Sequence, residues 1–231
     1  MFELLDSYYE ALTGYTYVQF YLPGQIFESA PYYLQTEHPG TAVLGHYQEQ
    51  SGKYAYSLGP VALEDFEDPG EPIQPLDIRS NERAMVIRSK RRPVILMSEL
   101  PTPWKEGKRR SDPAFLVLPI YSFSSDTSGK PSYSETFIER VKAYYYNSLF
   151  YLPANQKPSF REGFARFDRI QVVHKRWLKH RPLRLTEDAL HCLRAWLFGF
   201  TTLSPEEVGE GWEWFRIIRE YRDRRLAVEK A

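Results

Sequence analysis

Apolar and polar positions change period along the chain, and each change marks an element. Phe2, Leu5, Tyr9 and Leu12 recur at helical spacing and Gly14 suits a C-cap, which predicts a short amphipathic helix. Residues 15–22 alternate with β-forming side chains and predict a strand, and Pro23-Gly24 turns the chain into Gln25-Ile26-Phe27. Residues 31–70 mix short aromatic pieces with Gly, Pro and acids. They read as a loop-rich insertion with room for one hairpin around 45–58, leaving through Pro69, Pro72 and Pro75.

The pattern becomes more regular after Arg79. Residues 84–87 form a short apolar strand, and the charged turn Arg88-Ser89-Lys90-Arg91-Arg92 leads into a second apolar strand over 93–97. Its opening proline is allowed at a strand start. A basic loop over 105–110 precedes a third strand over 115–121, and Phe137, Val141, Tyr144 and Leu149 share one face of a helix. Residues 163–173 alternate as a further strand. Two helices follow. The first runs from Thr186 through Leu190, Leu193 and Leu197 to Gly199, and the second opens at the capping box Ser204-Pro205-Glu206-Glu207. The expected fold is α+β, mainly β: a small twisted barrel with packed helices. Its parts are an N-terminal helix and strand over 1–22, the barrel over 23–203 with an acidic insertion at 31–78, and a C-terminal helix over 204–231.

Composition adds one fact that the pattern does not. Net charge is zero, yet residues 1–78 carry one basic residue, Lys53, against twelve acids, while 79–231 carry 29 basic against 18 acidic residues. Two solvated surfaces of unlike charge would account for this; so would a basic part that binds a polyanion, with the acidic part beside it. The aromatic share of 16% argues against disorder. No run approaches the roughly 18 apolar residues of a membrane span. The start Met1-Phe2-Glu3-Leu4-Leu5-Asp6 has acids where a secretory leader is basic. The expectation is a soluble cytoplasmic protein.

Much chemistry is missing. Cys192 is the single cysteine, so no intramolecular disulfide or cysteine-rich zinc site forms. There is no phosphate-cradling glycine loop, no G-x-S-x-G and no H-E-x-x-H. His38 and His46, with nearby acids, are the weak candidates for a metal. No cofactor is expected.

One set of segments is informative in its order. Arg91-Arg92-Pro93-Val94-Ile95-Leu96-Met97-Ser98 is followed by a strand ending Pro119-Ile120-Tyr121-Ser122. The run 164–178 then follows, with Asp168-Arg169-Ile170 and a closing Lys175-Arg176-Trp177-Leu178, and leads to a helix over 187–197. Leu22-Pro23-Gly24-Gln25-Ile26-Phe27 supplies an opening strand. Together these resemble the MazF/PemK family of bacterial toxin–antitoxin endoribonucleases, across 23–27 and 83–200 with insertions. The resemblance implies an SH3-like, CcdB/PemK-type barrel, a homodimer, a cognate antitoxin protein and single-stranded RNA as substrate. It also implies a catalytic arginine before the proline of the second strand, here Arg92, and a threonine after the third. That threonine position holds Tyr121, with Ser122 beside it, and the acid-Gln step has become Asp168-Arg169.

Metal-free RNA cleavage needs a proton acceptor, a proton donor and stabilisation of the phosphorane charge. Arginine suits the last task, because it presents fixed donors and keeps its charge. Arg92 is therefore the first candidate, with Lys90 and Arg91 as phosphate anchors, although the same basic turn reads equally as a solvated hairpin tip. Ser122 and His174 complete the catalytic candidates, and Arg169 and Tyr121 the RNA-binding ones; Asp168 reads first as an ion-pair partner of Arg166 or Arg92. Tyr121, Phe123, Tyr133 and Trp104 are candidate stacking platforms for bases. Two functions remain open: a metal-independent endoribonuclease, or a non-catalytic barrel that binds nucleic acid or a protein. In either, the acidic segment 64–71 is a candidate internal mimic of a phosphate chain.

Overall fold

A computed structural model of the protein describes residues 5, 7–31, 42–48, 54–60, 85–86, 89–100, 113–124, 130–201 and 211–228. The chain divides into two units, 1–30 with 91–231, and 31–90. In chain order the elements are β1 (Tyr9–Ala11), β2 (Gln25–Ser29), β3 (Ala42–Gln48), β4 (Tyr54–Pro60), β5 (Met85–Val86), β6 (Arg92–Leu100), β7 (Ala114–Ser122), α1 (Glu135–Lys142), β8 (Leu149–Leu152), β9 (Gly163–Arg166), β10 (Gln171–His174), β11 (Lys179–Leu185), α2 (Glu187–Thr201) and α3 (Gly211–Val228).

The smaller unit is an antiparallel sheet in the order β4-β3-β5. The hairpin expected near 45–58 is present as β3 and β4, and the strand expected at 84–87 pairs with β3 in this sheet rather than joining the larger one. The acidic segment 64–71 lies outside the described residues.

The larger unit is α+β and mainly β. Its antiparallel strands run β1-β11-β2-β6-β7-β9-β8, with β10 also paired to β7, and curl into a half-barrel accompanied by the three helices. The central strands β6 and β7 are covered on both sides, which is why they read as continuous apolar runs. On one face Phe27, Val94, Leu96, Phe115, Val117, Val173 and Leu178 form a single buried cluster. On the other, Ile26, Ile95, Leu118 and Phe150 are buried, and Phe150 meets Tyr144, which in turn meets Trp196 of α2. Trp196 Nε1 donates to the Leu149 carbonyl at 3.1 Å and ties α2 to β8. At roughly 25 cal/mol per Å² of apolar area, this two-sided burial is the main source of stability.

β7 has three partners, and its third organises the fold. Along one edge it pairs with β9 from Ile120 to Ser122 and with β10 from Ala114 to Val117. Leu118 and Pro119 fall in the gap, and there the neighbouring chain leaves the ladder as a 3-10 turn over Phe167–Arg169. Proline offers no N–H to a ladder, so a break is the natural place for it. The single strand expected over 163–173 is therefore two strands with a turn between them.

Other expectations are corrected by packing. The N-terminal residues do not form a helix around Tyr9. Tyr9 pairs with Leu185 in β1, its hydroxyl donates to Pro153 O at 2.9 Å, and its ring lies 5.3 Å from that of Phe160. A helical run this short is marginal by itself, and sheet edge contacts outweigh it. Residues 15–19 form a 3-10 turn instead of a strand. Gln25, buried, holds that segment by accepting from Leu22 N at 3.2 Å and donating to Tyr17 O at 3.4 Å. α1 stops before Leu149 because Tyr144 takes a left-handed φ of 55°. The capping box at 204–207 lies outside the described residues, as do residues 105–110. Among the described residues no helix is long and apolar enough to cross a membrane.

Candidate functional site

Strand register carries side chains into one transverse row. Ser29 of β2 is opposite Arg92 of β6, Tyr121 of β7 is opposite Phe164 of β9, and Phe164 is opposite Tyr151 of β8. The β6–β7 ladder, which joins Val94 to Pro119, runs on to bring Arg92 to Tyr121. The Arg92 guanidinium carbon lies 4.3 Å from the Tyr121 ring centroid, and that of Arg166 lies 5.4 Å from the same ring. Two guanidiniums thus converge on one buried phenol near the end of β7. The ring also stacks on Phe164, with centroids 5.7 Å apart and planes 17° from parallel.

The 3-10 turn opposite Pro119 completes the cluster. Arg166 Nε donates to Asp168 Oδ1 at 3.0 Å and its Nη2 to Oδ2 at 2.5 Å, a two-point grip that fixes the guanidinium. Arg169 Nε is 3.8 Å from Asp168 Oδ2. Burial alone would raise the Asp168 pKa, but the bond from Arg166 and the charges of Arg166 and Arg169 outweigh it and hold the carboxyl below its usual range. The same bond leads the causes that raise Arg166 further, against its partial desolvation. Arg92, Arg166, Arg169 and Asp168 together leave an excess of two positive charges, which suits a phosphate.

Not every expected residue is in this cluster. Ser122 follows Tyr121 in the strand and so faces the other side of the sheet, where its hydroxyl donates to Ser124 O at 3.0 Å. His174 is opposite Ala114, at the far end of β7 from Tyr121, about 23 Å along the strand at roughly 3.3 Å per residue. Its Nδ1 is buried without a hydrogen-bond partner among the described residues. The three catalytic candidates Arg92, Ser122 and His174 therefore do not meet, because adjacent strand residues diverge and the break in β9–β10 carries His174 down the ladder.

The RNA-binding candidates divide similarly. Tyr121 and Phe123 are buried, and Tyr133, half-buried, packs among Phe123, Phe137 and Phe164. Trp104 lies outside the described residues. Arg91 is exposed and bonded to Glu28, and Lys90 is exposed at the last residue of the smaller unit. Tyr121 is thus in the Arg92 row itself, and Arg169 adjoins it through Asp168 and Arg166.

Ser29 was not legible as a site residue. It is 3% exposed and its hydroxyl has no hydrogen-bond partner among the described residues, although it is the register partner of Arg92. Only its alternation with Phe27 hinted at the shared face. Among the described residues no three of His, Cys, Asp and Glu gather as a metal site. His38 and the side chain of His46 lie outside them. Compared with known proteins, the chain matches no family model, no curated protein and no solved structure.

Proposed function

We propose that the protein is a MazF/PemK-like endoribonuclease that acts on single-stranded RNA without a metal, on an SH3-like barrel of the CcdB/PemK type. The observation that carries this reading is the meeting of Arg92 with Tyr121, the two positions that the resemblance pairs as arginine and threonine. The segments that carry the resemblance fold as β2, β6, β7, β9, β10 and α2. A homodimer, a cognate antitoxin and a cytoplasmic location belong to the same proposal.

In this reading the RNA 2′-oxygen attacks the adjacent phosphorus and the 5′-oxygen leaves. Arg92, with Arg166 beside it, faces the charge that builds on the non-bridging oxygens. A preorganised donor of this kind is worth about 10²–10³ in rate. General acid–base catalysis contributes about 10²–10⁴ more, yet Ser122 and His174 are not at the row to supply it. Solvent is left to move protons, so turnover is expected to be slow.

That shortfall favours a second reading, a barrel that binds nucleic acid or a protein partner without cutting. Incubation with a long unstructured RNA in EDTA separates the two. The first reading expects fragments from the wild type and none from Arg92→Ala. Intact RNA at micromolar protein contradicts it.

A further inference from the structure

A second surface of the larger unit has the chemistry of a single-strand binder, and neither reading of the Arg92 row uses it. Between β10 and β11 a 3-10 turn spans Lys175–Trp177. Leu178, buried in the barrel cluster, anchors the end of this turn, which leaves Trp177 55% exposed with Lys175, Arg176 and Lys179 exposed around it. The aromatic segment after the first 3-10 turn joins it from more than 150 residues away. His180 Nε2 bonds to the Phe20 carbonyl at 3.2 Å, and Lys175 Nζ lies 5.1 Å from the Tyr21 ring centroid. Phe20 itself is 52% exposed.

Large rings are kept in water here by the turn's register, and cations alternate with them. An apolar protein partner would leave those cations to be desolvated, whereas a polyanion with flat bases satisfies both features. Glu28, the register partner of Lys179, is engaged by Arg91, which reduces its repulsion of a phosphate. We propose that this face binds single-stranded polynucleotide, with bases stacked on Trp177 and Phe20 and phosphates on Lys175, Arg176 and Lys179. Stacking on rings and charge contacts with phosphates do not read a 2′-hydroxyl, so RNA and DNA are taken alike.

The test is fluorescence anisotropy of the full chain with labelled oligothymidylate and oligouridylate in EDTA. The two should bind within a few-fold of each other. Trp177→Ala should weaken both by about fivefold to a hundredfold, as stacking on one ring is worth. Trp177→Phe should retain most of the affinity, and Lys179→Gln should lower the salt slope by about 0.7. The Trp177→Ala loss should persist in an Arg92→Ala background, which separates this surface from the Arg92 row even if no RNA is cut. Unchanged affinity in a folded Trp177→Ala protein overturns the proposal. So does a dimer that Trp177→Ala dissociates without weakening oligonucleotide binding, since the face would then be an interface between copies.

Discussion

Arg92 lies over the ring of Tyr121 with its guanidinium carbon 4.3 Å from the centroid, while Arg166, held by Asp168, approaches the same ring at 5.4 Å. The two arginines come from β6 and β9, on either side of β7, and only the strand register brings them together. This places a concentrated positive charge against a buried aromatic floor. A cation over a partly desolvated ring gains about 0.5–2 kcal/mol. A double-mutant cycle on Arg92→Gln and Tyr121→Leu, followed by urea denaturation, should therefore show a coupling of about 0.5–2 kcal/mol. A coupling indistinguishable from zero would mean that the contact contributes nothing.

Gly163 sets how closely β9 approaches β7. A Cβ there would lie 2.2 Å from the Tyr121 carbonyl oxygen and 3.0 Å from Ser122 Cα, both backbone atoms that cannot rotate away. Gly163→Ala should cost about 1–3 kcal/mol or more, seen as a lower Tm by about 2–4 °C for each kcal/mol. It should also separate Tyr121 from Phe164 and loosen the arginine pair, so RNA affinity should fall as well.

Cys192 reports on the core of the helical side. Burial, aided by the charge of Asp188, pushes its thiol pKa up to about 12, and the residue has no exposed surface. In the native protein at pH 8 the thiol should resist iodoacetamide for hours, and it should alkylate rapidly in denaturant. Fast native labelling would show that α2 opens far more readily than its packing implies.

His180 predicts a pH dependence of stability. Burial lowers its pKa, assisted by the charge of Lys175 and opposed by the bond to the Phe20 carbonyl. The unfolded chain then binds a proton at this site more readily than the folded one. The native state therefore loses stability as pH falls from about 6.5 toward the lower folded value, and regains it as pH rises. In chemical denaturation at pH 7 and pH 5.5, His180→Gln should lose less stability on acidification than the wild type.

Sequence pattern reached the parts of the fold that burial dictates. β6 and β7 are apolar throughout because both faces are covered, and α2 follows its helical spacing from Glu187 to Thr201. It failed where tertiary contacts override local period. Tyr9 is spaced for a helix but pairs with Leu185, and residues 163–173 alternate through what is a turn at Phe167–Arg169. β11 escaped notice because the charged residues of Lys179–Leu185 mask its pairing with β2 and β1. Within the site, Arg92 was expected from the resemblance, and the Arg166–Asp168 pair was legible from residue type and spacing. The separation of Ser122 from Tyr121, and of His174 from both, depends on strand facing and on which edge of β7 is used, which no single segment encodes.

The most direct test of the Arg92 row is the binding of a 2′-O-methyl RNA oligonucleotide, which has no nucleophile and so reports phosphate contact whether or not the protein cuts. Affinity would be measured across a salt series for the wild type and for Arg92→Ala. The account predicts about tenfold weaker binding for the variant and a salt slope shallower by about 0.7, the loss of one phosphate contact to a single strand. Equal affinities and parallel slopes would contradict it.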